Sequence, residues 1–89
     1  MPRELVSDEF IERFGSQIVR EEMGEDEAHA LTGGRLSPSS LRRMSPRKLA
    51  EYFARAKWFH ARQFDALVGV FGVSPDAMAR RLTELKLIV

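Results

Sequence analysis

The sequence has no cysteine, which excludes a disulfide scaffold, a thiol nucleophile and any cysteine-ligated zinc or iron–sulfur centre. No apolar run approaches the roughly 20 residues of a membrane span. The acidic start lacks the basic and apolar regions of a signal peptide. A soluble, cytoplasmic protein with no membrane partner is the expectation. Histidine is scarce, with only His29 and His60. A catalytic zinc site would need both of them plus a carboxylate, and no His-x-x-x-His pair shares a helix face. Glu25 lies four residues before His29, a spacing that puts both on one face without defining a site. No glycine-rich phosphate loop is present, and Gly33-Gly34 is too short to make one. Glu21, Glu22, Glu25, Asp26 and Glu27 read as a solvated acidic segment rather than as general acids or bases. No catalytic residue, metal or cofactor is expected, and the chain is not read as an enzyme.

What is present fits one small domain. The 89 residues are 44% hydrophobic and 30% charged, enough for a modest core and a radius of gyration of about 12 Å. The net charge of +1 conceals an asymmetry. Residues 1–34 carry three basic against nine acidic residues, a balance of −6. Residues 35–62 carry eight basic residues against Glu51 alone, a balance of +7, and residues 63–89 are neutral with three of each sign. Such a division suits either a polyanion-binding face or mutual neutralisation within the fold or across a homodimer.

The punctuation predicts an all-α protein. Ser7 reads as an N-cap with Asp8 and Glu9 in the first turn, where carboxylates favour the helix dipole. Phe10, Phe14 and Ile18, widened by Ile11 and Val19, then define an acidic amphipathic helix over 7–23 that stops at Met23-Gly24. A short helix over Glu25–Leu31 closes at Gly33-Gly34. Ser37-Pro38, Ser45-Pro46 and Ser74-Pro75 each place a capping hydroxyl before a proline suited to the first helical position. From Pro46, one helix face carries Leu49, Tyr52, Phe53, Ala56 and Phe59. Nothing decides whether 46–71 is one helix or two with a bend near His60. Phe64, Leu67, Val68 and Phe71 form a further stripe ending at Gly72, and Met78, Leu82 and Leu85 face inward on the last helix. Leu87-Ile88-Val89 is β-compatible.

The two final stripes predict a helix-turn-helix. Gly72 permits the tight turn, Val73 pins it to the core, and a capped second helix crosses the first. In such motifs the start of the second helix meets base edges. Pro75 donates no backbone hydrogen bond there, and Asp76 faces phosphates with like charge, so the reading rests on Ser74, Arg80 and Arg81. Arg42, Arg43, Arg47, Lys48 and Arg55 would add salt-sensitive phosphate affinity. Arg62 falls on the same edge, and Trp58, Phe59 and His60 interrupt the charge, an arrangement that can suit base stacking but more readily reads as a solvated basic face with its aromatics buried in the core.

The opening "MPREL" and the run "LVGVFGVSPDAMARRLTELKLI" resemble two parts of the ImmA/IrrE-like metallopeptidase family. The resemblance covers roughly 25–30 residues. In that family a His-Glu-x-x-His helix precedes these parts. That helix is not in this sequence, so the resemblance implies no zinc ligand here. It implies a non-catalytic helical segment in a regulatory setting. The combined expectation is a single all-α domain over 1–89, with acidic N-terminal helices (1–34), a basic middle (35–62) and a C-terminal helix-turn-helix (63–89). It is read as a non-catalytic regulator of transcription that binds double-stranded DNA. The alternative is a protein-interaction or regulatory module, in which the helix-turn-helix is only scaffold.

Overall fold

The computed structural model describes residues 3–89, and Met1 and Pro2, the start of the "MPREL" match, lie outside the described residues. Six α-helices and one small two-stranded sheet follow in the order α1 (Arg3–Phe14), α2 (Glu25–Thr32), α3 (Pro38–Arg43), α4 (Pro46–Arg55), β1 (Trp58–Phe59), β2 (Arg62–Gln63), α5 (Leu67–Phe71) and α6 (Pro75–Glu84). A 3₁₀ turn over Arg20–Glu22 precedes α2. The radius of gyration is 11.8 Å.

The first helix differs from expectation at both ends. It begins at Arg3, so Ser7 lies inside it rather than capping it, and it ends at Phe14 instead of Met23. Gly15 adopts φ +87° and its N–H bonds the Ile11 carbonyl, which closes the helix. Val6, Phe10 and Phe14 form the buried stripe at four-residue spacing. Ile18 is buried too, but from an extended segment. It pairs in parallel with Ile88, its N–H bonding the Leu87 carbonyl (2.8 Å) and its carbonyl accepting from the Val89 N–H (2.9 Å). The β-branched Ile18-Val19 pair therefore serves a short ladder rather than a helix.

The serine–proline pairs act as the sequence indicates. Ser37, Ser45 and Ser74 each accept a hydrogen bond from the third helical N–H, with proline at the first position of α3, α4 and α6. Gly33 (φ +67°) closes α2, and Gly24 opens it with the Glu27 carboxylate accepting from the Gly24 N–H.

The stretch 46–71 is two helices with a hairpin between them. In the hairpin Trp58 pairs with Gln63 and Phe59 with Arg62. Phe59 is thus a strand residue, though buried as its hydrophobicity requires, and Phe64 precedes α5 rather than opening it. Phe14 sits at the centre of the aromatic core, with ring centroids 4.7–5.5 Å from Phe10, Phe53, Phe59 and Phe64. α4 packs on α6, and Ala50 and Ala54 of the one helix and Ala79 of the other are fully buried, small side chains that allow close approach. Leu49, Leu67, Met78 and Leu82 fill the space around that contact.

Candidate nucleic-acid interface

α5 ends where Gly72 takes a left-handed conformation (φ +64°), and α6 starts two residues later at the Ser74 cap. The buried side of α6 is Met78, Ala79 and Leu82, while Asp76, Ala77, Arg80 and Glu84 are exposed. Ser74 is exposed, with its hydroxyl accepting from the Ala77 N–H. Arg80 is exposed and its neighbour Arg81 is half-buried with an intramolecular partner.

Asp76 does not stand alone. Its Oδ1 accepts from Arg47 Nη2 at 2.7 Å, joining the first turn of α6 to the first turn of α4. The two side chains remain 43% and 64% exposed, so water screens the pair and its worth is about 0–1 kcal/mol. It links two helix starts that the packing of α4 on α6 already holds side by side. Lys48 is exposed on the next position of α4, and Arg42 and Arg43 are exposed at the end of α3, directly before the Ser45 cap. Of the expected cations, Arg47 is therefore the one joined to the α6 tip, with Lys48 next to it in α4 and Arg42 and Arg43 two to three residues before the Ser45 cap. Arg55 does not join them. It lies eight residues beyond Arg47, about 12 Å along the helix, with its guanidinium 6.0 Å from the Tyr52 ring centroid. There it shares a hollow with Arg35 and Leu31. Arg62 is also elsewhere, donating to the Glu12 carbonyl at the end of α1.

The aromatic residues do not alternate with the basic ones in space. Phe59 is buried, while Trp58 and His60 face a cleft against α2 together with His29, Asp26 and Glu27. No sequence spacing points to this meeting of both histidines, because it depends on a hairpin whose turn, His60-Ala61, contains neither glycine nor asparagine. Among the described residues, no group of three histidine or acidic side chains is placed to hold a metal ion. No helix among them is long and apolar enough to cross a membrane. No protein-family model, curated protein or solved structure matches the chain significantly.

Proposed function

We propose that this chain is a small, non-catalytic helix-turn-helix protein that binds double-stranded DNA in transcriptional regulation. The contact between Arg47 and Asp76 supports this reading most. It offsets the like charge that Asp76 would turn toward phosphates, and it joins the first turn of α4, where Lys48 is exposed, to an exposed α6 start. In this reading Arg80 and Ser74 meet the groove and its edge, while Arg42, Arg43 and Lys48 neutralise phosphates.

A salt titration of binding to random duplex DNA tests it. If Arg42, Arg43, Lys48 and Arg80 each neutralise one phosphate at about 0.9 apiece, log K falls against log salt with a slope of about −3 to −4. Arg43→Ala lowers that slope by about 1. A flat curve at low salt, unchanged by Arg80→Ala, overturns the reading.

The second reading is a protein-interaction module similar to the non-catalytic C-terminal part of an ImmA/IrrE-like protein. It is favoured by the separation of Arg55 from the tip and by the 40% exposure of Trp58. A mass above 10.2 kDa in light scattering, without DNA affinity, would select it in the form of a homodimer.

A further inference from the structure

Both histidines and the single tryptophan are unused by the DNA-binding reading, and all three meet in one place. The cleft between α2 and the hairpin has a volume of about 330 Å³ and is lined by Asp26, Glu27, His29, Trp58, His60 and the buried Phe59. A second hollow of about 230 Å³ shares Glu27, Phe59 and His60 with it and adds Glu22. The His60 ring lies against Phe59, with centroids 4.3 Å apart and planes inclined by 31°, and it lines both hollows. Neither hollow is lined by a lysine or arginine.

Three carboxylates with no lysine or arginine among the lining residues favour a cationic ligand. The indole sets its shape, because tryptophan is the strongest aromatic partner for a cation held over its face. A guanidinium meets both demands. It is planar, weakly hydrated, stacks on aromatic rings and donates in a fork that suits carboxylates, whereas an ammonium is compact and strongly hydrated.

We propose that this cleft binds an arginine side chain presented by a peptide, with the guanidinium over Trp58 and paired to Asp26. Glu27 contributes charge while its Oε1 continues to accept from the Gly24 N–H (3.3 Å). Trp58, the only indole in the chain, reports occupancy through its own fluorescence.

The test titrates the full chain with a capped Gly-Arg-Gly-Arg-Gly peptide, with the same peptide carrying citrulline for arginine, and with free agmatine. The expected result is a saturable change in Trp58 emission with the arginine peptide and at least tenfold weaker binding of the uncharged citrulline peptide. Asp26→Asn, an exposed position outside the α2 capping interaction, weakens the arginine peptide at least fivefold with unchanged far-ultraviolet circular dichroism and unchanged DNA affinity. Equal responses to the arginine and citrulline peptides, no response to either, or full affinity in Asp26→Asn overturns the proposal. Agmatine binding as tightly as the peptide overturns the peptide as occupant. Failure of the DNA titration leaves these outcomes untouched, since no residue is shared between the two sites.

Discussion

Ala61 and Gly72 have nearly the same backbone geometry, φ +60° and +64°, and opposite side-chain suitability. A left-handed conformation costs a non-glycine residue about 1–2 kcal/mol, and glycine returns about 0.5–1 kcal/mol of that through its freer unfolded chain. Ala61→Gly should therefore stabilise the protein by about 0.5–1 kcal/mol. Gly72→Ala should destabilise it by a similar amount, since a Cβ at Gly72 meets nothing within 4 Å and only the backbone term counts. Thermal midpoints moving in opposite directions, by several degrees each, are the check. Arg13 is the other decisive residue. It is 9% exposed, pairs with Glu9, donates from Nε to the Asp65 carbonyl (3.0 Å) and lies 5.5 Å from the Phe64 ring centroid. Arg13→Ala removes charged hydrogen bonds worth about 1.5–3 kcal/mol each and the tie between α1 and the approach to α5. A loss of about 2–4 kcal/mol in urea unfolding is expected.

At the level of elements, the three serine caps are local devices and were legible as such. Each needs only a hydroxyl, a proline and the next turn. Ser45→Ala and Ser74→Ala should each cost about 1 kcal/mol, and Ser74→Gly only a few tenths, when measured by chemical denaturation. The end of α5 at Gly72 and the burial of Met78 and Leu82 were readable for the same reason, since turn chemistry and helical spacing lie within a few neighbouring residues. The ends of α1 were not. Ser7 has a capping side chain, but helical geometry already extends upstream to Arg3, and the apolar spacing through Ile18 continued past a glycine that breaks the helix. The hairpin was hidden more thoroughly. Its turn residues lack the usual signal, and its aromatic strand, Trp58-Phe59, fits a helical stripe equally well.

For the whole molecule, the charge division was plain in the sequence, whereas its spatial meaning was not. Acidic α2 faces the hairpin and helps form a cleft, while the start of α4, with Arg47 and Lys48, adjoins the α6 start. That arrangement depends on contacts between residues far apart in the chain. Arg20 donates to the Met44 carbonyl, Arg62 to that of Glu12, and Gln17 to that of Lys86. Removing residues 87–89 should be severe for its size. It takes away the parallel ladder and the burial of Leu87 and Ile88, each worth about 1.5–3 kcal/mol. A drop of about 3–6 kcal/mol in unfolding free energy is expected, with residues 15–23 losing amide-exchange protection first.

The same ladder bears on how the protein is born. Gln17 waits for a backbone partner 69 positions downstream, so on a ribosome the N-terminal third emerges with Ile18 uncovered while nearly everything else is still being made. The ladder can close only once residues 86–89 exist, whereas the contacts of Phe10 and Phe14 with Phe53 need far less of the chain.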